Sequence, residues 1–213
     1  KGQTMKRGFF LLVLMSFFCG CIGPDGLSLE KEGDRAFEKT AYKKAIGFWL
    51  KAAEKNPDKP AKLYEKIGKT YLKLSRVGPA ERFFKKALKI HPENKKIQKQ
   101  MARILIIKGK YADAFKKMDQ IGEALEKDTD YYLLYGDLYM VSKAYAKAEA
   151  MYRKGVDKNR ASVRAKLKLA LCLIKTGQED EAEKLVSMMD QHRAVDPLHF
   201  LLLSDYYLVS GRM

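Results

Sequence analysis

Gly33-Asp34-Arg35-Ala36-Phe37 opens a segment that runs on through Ala45, Trp49 and Ala52 and stops at Asn56-Pro57. The next segment repeats the layout, with Gly68, Ala80, Phe84 and Ala87 before a stop at His91-Pro92. Followed along the chain, the small residue recurs as Gly33, Gly68, Ala102, Gly136, Ala170 and Ser204, at intervals of 35, 34, 34, 34 and 34 residues. Twelve residues after each of the first five comes an alanine: Ala45, Ala80, Ala114, Ala148 and Ala182. Four residues further sits a bulky side chain: Trp49, Phe84, Met118, Tyr152 or Val186. A fixed period of this size marks a stacked array in which each unit leaves an apolar face that only a neighbour can cover. Small residues let the two helices of a unit approach, the bulky residue is expected to fill the space toward the next unit, and proline ends the second helix.

This pattern resembles the tetratricopeptide-repeat (TPR) family. The resemblance implies an all-α TPR solenoid, a right-handed superhelix of antiparallel helix pairs, occupying residues 26–213. In the family frame five repeats start near Gly26, Ala61, Lys95, Thr129 and Val163, and a sixth first helix, Pro197 to Gly211, precedes Met213 without its partner. Two readings stay open: a solenoid closed by this helix, or an interaction segment of a larger enzyme or regulator that continues beyond residue 213.

In TPR proteins the first helices line a concave groove, whose exposed positions are the second, fifth, ninth, twelfth and thirteenth of each repeat. Transferred here, these include Glu30 and Asp34 in repeat one, Lys62, Lys69 and Lys73 in repeat two, and Lys99, Arg103, Ile106 and Ile107 in repeat three. Repeats four and five supply Asp130, Leu133, Asp137, Met140 and Val141, then Arg164, Leu167, Leu171 and Ile174. The implied groove is acidic, then basic, then largely apolar. Lys69, Lys99 and Arg103 are expected to pair with carboxylates of a partner peptide, and Ile106, Met140, Leu171 and Ile174 to hold its apolar anchors. The opening repeat is similar to that of chaperone-binding TPR domains, which clamp a terminal carboxylate. Glu30 and Asp34 stand where that clamp needs Lys and Asn, and they would repel such a ligand.

Ahead of the repeats the chain reads Met5-Lys6-Arg7-Gly8, followed by an apolar run from Phe9 to Phe18. A short basic region before about ten apolar residues is the signature of a secretion signal. As a helix, Phe9 to Ile22 would span only about 21 Å, short of a ~30 Å hydrocarbon core. Residues 1–25 are thus read as a signal peptide and short linker. Its end, Phe18-Cys19-Gly20-Cys21, resembles a bacterial lipobox, which implies that Cys21 is lipidated and becomes the mature N-terminus. Ile22 stands where an inner-membrane lipoprotein often has Asp, which favours the outer membrane.

The formal net charge is +16, and residues 51–110 carry 18 Lys/Arg against 5 Asp/Glu. Such a field favours acidic partners, whether protein segments or anionic lipid; no nucleic-acid motif accompanies it. Cys172 is alone in the body of the chain, so neither an internal disulfide nor a zinc set is read there. It and the tyrosines Tyr131, Tyr132, Tyr135, Tyr139, Tyr206 and Tyr207 fall at first-helix packing positions. No nucleophile–base–acid set, phosphate loop, metal site or cofactor motif stands out, and no enzyme is expected. The reading is a protein-interaction scaffold at a cell-envelope membrane, assisting a pilus, secretion or outer-membrane machine.

Overall fold

The structure, a computed structural model, describes residues 25–56, 60–125 and 128–187, together with 204–206, 208, 209 and 211. The leader with Cys21, Pro57 and most of the sixth first helix lie outside the described residues. Helices come in pairs: α1 Gly26–Glu38 with α2 Tyr42–Lys55, α3 Pro60–Lys73 with α4 Val77–Ile90, and α5 Lys95–Ile107 with α6 Tyr111–Ile121. A 3-10 turn, Gly122–Leu125, follows α6. The last two pairs are α7 Thr129–Val141 with α8 Tyr145–Lys158, and α9 Val163–Lys175 with α10 Glu179–Ser187. No strand occurs among the described residues, and the fold is an all-α solenoid of paired helices.

Local chemistry explains where these helices start and stop. Asp25, Asn94, Asp128 and Ser162 immediately precede α1, α5, α7 and α9, and each accepts a hydrogen bond from a first-turn N–H that would otherwise lack a partner. α3 instead begins on Pro60, whose missing N–H costs nothing at that position. Each first helix ends in the same left-handed turn. The fifteenth residue of every described repeat has positive φ: Thr40, Ser75, Gly109, Lys143 and Gly177. The next N–H reaches back five residues, as from Ala41 to Ala36 O, Arg76 to Tyr71 O and Lys110 to Leu105 O. This closes the helix and launches the second one without a side-chain cap.

The described residues divide into two compact units, the first ending at Ile90 and the second beginning at His91. In the first, Leu29, Ala45, Ile46, Trp49, Ala52, Leu63, Ile67 and Phe83 form the core. The second has one cluster around Ala102, Met118, Tyr131 and Leu138 and another around Tyr152, Ala170, Cys172 and Leu173. Tyr131, Tyr132 and Tyr206 are buried as the packing reading expects, and Tyr207 lies outside the described residues. Cys172 is fully buried, and burial with the nearby Glu149 charge pushes its thiol up to about 11.

The bulky residues Trp49 and Tyr152 share a core with residues of the next repeat, and in repeats one, two and four the bulky residue also lies over the small residue of its own repeat. A Cβ added at Gly33 would sit 2.4 Å from the Trp49 ring, at Gly68 2.7 Å from Phe84, and at Gly136 2.2 Å from Tyr152. Where the small residue is Ala102 or Ala170, the bulky position of the repeat holds Met118 or Val186, which is flexible or smaller. Ring size and the absence of Cβ thus vary together.

Candidate functional site

The first helices α5, α7 and α9 contact one another in sequence, which brings the groove positions of repeats three to five side by side. The charges they carry are turned largely on each other. Asp130 of α7 accepts from Arg103 of α5 at 3.3 Å and also pairs with Arg164 of α9, joining three helices. Lys99 donates to Asp128 at 2.5 Å and is only 4% exposed. Lys168 and the Tyr152 hydroxyl both donate to Asp137, at 2.5 and 2.7 Å. Burial lowers the Arg103 pKa from its ordinary value, although Asp137 and Asp128 oppose that shift. Its Nε is buried without a hydrogen-bond partner among the described residues.

The first unit carries the same device. Lys66 of α3 donates to Asp34 at 2.7 Å and to Glu30 at 2.7 Å, while Trp49 Nε1 donates to Asp34 at 3.0 Å. Burial works against the Lys66 ammonium, but the hydrogen bonds to Asp34 and Glu30 outweigh it and its pKa is raised. Asp34 and Asp137 hold the same ninth position, and Lys66 and Lys168 the same sixth position of the following repeat. Where the ninth residue is Lys69 or Arg103, the ring donor is replaced by Phe84 or Met118 and the sixth position by Gln100 or Leu134. The carboxylate, the ring donor and the lysine therefore occur as a set.

This arrangement corrects several expected groove residues. Lys99, read as an exposed partner for acidic peptide side chains, is a buried cation committed to Asp128. Arg103 is drawn into the Asp130 pair. Leu133 and Leu167, also read as groove-facing, are buried at 3% and 1% exposure. The acidic patch expected from Glu30 and Asp34 is partly offset by Lys66, which bridges both and lies outside the family's groove positions. The matching Asp–aromatic sets in repeats one and four were the available signal for it.

Other expected residues do face solvent. The Lys62 side chain is 72% exposed and lies 3.7 Å from Glu30, and the exposed Lys69 pairs along its own helix with Glu65 at 2.6 Å. Lys73 sits 5.5 Å over the Phe37 ring and 5.3 Å over Tyr42. In the second unit the first helices end in an apolar row. Ile106, Met140, Leu171 and Ile174 are half-buried against the core, while Ile107 is 55% and Val141 46% exposed. Cations thus face solvent in the first unit and apolar helix ends in the second.

Comparison with known proteins bears on the fold. Two family models described as "Tetratricopeptide repeat" match residues 61–94 and 139–206. No curated protein matches the chain. A thermophilic TPR protein from Thermus thermophilus is similar in structure with TM-score 0.69 and 17% identity, over 87% of this chain and 99% of that one. PilF of Pseudomonas aeruginosa is similar with TM-score 0.66 and 16% identity, over 88% and 85% of the two chains. MamA of Desulfovibrio magneticus gives TM-score 0.63 and 15% identity, over 87% and 98%. At these identities the similarity is one of fold. The common period, the paired helices, the recurring left-handed turn and the two family matches together show that this chain is a tetratricopeptide-repeat protein.

Proposed function

We propose that this protein is a non-catalytic scaffold that holds partner proteins, tethered by lipid on Cys21 to a cell-envelope membrane. There it assists assembly of a pilus, secretion or outer-membrane machine. The observation that carries the binding half is the exposure of Ile107 and Val141 together at neighbouring first-helix ends. With Ile106, Met140, Leu171 and Ile174 beside them, they offer anchor sites for apolar side chains of an extended or helical segment. In the first unit Lys62, Lys69 and Lys73 suit acidic side chains. The tether and its setting rest on the sequence from Met5 to Cys21.

Affinity capture from detergent-solubilised membranes tests this reading, with the full-length chain as bait and mass spectrometry of what co-purifies. Envelope-machine components are expected with the unaltered chain and are lost with Ile107→Asp/Val141→Asp, which leaves thermal stability within about 0.5 kcal/mol because both positions are exposed. Capture that is indifferent to this pair defeats the groove assignment. A Cys21 that carries no lipid defeats the tether.

A further inference from the structure

The groove accounts for little of the chain's positive charge. In the first unit half of the Lys and Arg among the described residues lie on the second helices. α2 and α4 together carry Lys43, Lys44, Lys51, Lys55, Arg82, Lys85, Lys86 and Lys89, against Glu54 and Glu81. All eight cations are exposed, whereas Ala45, Ile46, Trp49, Ala52, Ala80, Phe83, Phe84 and Ala87 of these helices are buried. On α4, Gly78, Arg82, Lys85 and Lys89 follow at steps of four, three and four, which places them on one face along about 16 Å of helix. On α2, Lys44, Gly47, Lys51 and Lys55 make a second stripe. The bias is local: α10, the second helix of repeat five, has Glu179, Asp180, Glu181 and Glu183 against Lys184. A face that served solubility alone would mix the two signs, as α6 does with Asp113, Asp119, Lys116 and Lys117.

A second observation falls on the same stripe. Gly47 lies in the interior of α2, where glycine costs about 1 kcal/mol relative to alanine. Gly33, Gly68 and Gly136 have rings pressed against them, but among the described residues nothing lies within 4 Å of a Cβ at Gly47. Packing in this chain does not call for it. It flattens the helix between Lys43, Lys44 and Lys51, so that a broad anionic surface can come close to the backbone there.

We infer that the outward face of α2 and α4 docks on anionic phospholipid headgroups. This inference rests on the lipid-tether reading for its occupant. Five peptide units separate Cys21 from Gly26, so a chain held by lipid on Cys21 keeps the start of α1 within roughly 18 Å of the anchor. A lipid on Cys21 would therefore keep the first unit within reach of the headgroups. Each Lys or Arg near such a surface adds up to about 1 kcal/mol. One acyl signal alone holds a protein only marginally, whereas a lipid with a basic patch holds it stably. Lys86 lies over the Tyr64 and Phe83 rings, 5.5 and 5.3 Å from their centroids, and Lys85 pairs with Glu81 at 2.8 Å. These contacts hold part of the cationic face in place before it binds.

The test is co-flotation with vesicles, using unlipidated chain from Ile22 to Met213, which keeps every described residue. Vesicles containing phosphatidylglycerol should retain it at least roughly tenfold better than phosphatidylcholine alone, with loss on adding salt. Lys51→Gln/Arg82→Gln/Lys85→Gln/Lys89→Gln should bring retention down to the phosphatidylcholine level while circular dichroism stays unchanged. A variant with Lys143→Gln/Lys147→Gln/Lys154→Gln/Lys158→Gln, on α8 and the turn before it, should retain binding, which separates a defined face from net charge. Equal retention on both vesicle types, equal loss in both variants, or tighter binding to an oligonucleotide than to the anionic vesicles would overturn the inference. Acylation of full-length chain is measured separately by mass spectrometry. An unlipidated Cys21 with intact vesicle binding refutes the tether alone, and a lipidated Cys21 without it refutes the docking face alone.

Discussion

Gly136 shows how a single missing carbon organises a repeat. The Tyr152 ring lies where its Cβ would be, and the ring hydroxyl is tied to Asp137 at 2.7 Å, so the ring cannot simply swing away. Gly136→Ala is expected to lower stability by about 1–3 kcal/mol, the range for overpacking a core, read as a drop in the denaturant midpoint. Repeat three uses Ala102 with Met118 instead. Adding Tyr152→Met to Gly136→Ala should therefore recover part of the loss, a non-additivity that independent sites would not show. Periodicity revealed the small residue and the bulky one sixteen positions later, but not that the two touch. A repeat pattern reports which positions are constrained, whereas their contact depends on how deeply two helices interlock.

Between the helices of each pair, the left-handed turn residue is the point of strain. An L side chain in this conformation costs roughly 1–2 kcal/mol, yet Thr40, Ser75 and Lys143 occupy it alongside Gly109 and Gly177. All three side chains are exposed, so nothing in the packing depends on them. Thr40→Gly, Ser75→Gly and Lys143→Gly should each raise stability by up to about 1 kcal/mol, after the entropy that glycine adds to the unfolded chain. Gly177→Ala should lower it by a similar amount, and thermal melts of the four variants check both signs. Gly109 and Gly177 stand two periods apart, so the turn was partly legible in the sequence. Thr, Ser and Lys at the other three positions hid it, because the closing backbone hydrogen bonds hold whichever residue is there.

Within each unit, cohesion is the sum of links between neighbouring repeats, as expected for a solenoid. One such link titrates. Arg153 of α8 donates to Glu181 of α10 at 2.7 and 2.8 Å and to Glu149 at 2.8 Å. The hydrogen bonds from Arg153 hold Glu181 below its ordinary carboxyl pKa. A carboxylate depressed in the folded state stabilises above its unfolded pKa, and that stability is lost as pH falls through the folded value. Both side chains are substantially exposed, so the link is worth about 0.2–1 kcal/mol at neutral pH. Glu181→Gln should therefore lower the thermal midpoint slightly at neutral pH, and the two proteins should converge once the pH is well below about 4.

At this same scale the amino-acid order alone carried the all-α class, the helix pairing and the apolar core. Each follows from periodic burial, and burial is a property that every position declares through its own side chain. The ion pairs were out of reach of that logic. Lys66 with Asp34, Lys99 with Asp128 and Asp130 between Arg103 and Arg164 join residues 27 to 34 positions apart in sequence. Whether such charges meet each other or solvent depends on where flexible side-chain tips end across two helices. A few ångströms in the spacing of first helices, set by packing around residues such as Gly136 and Tyr152, turned expected groove cations into internal partners and left Ile107 and Val141 facing outward.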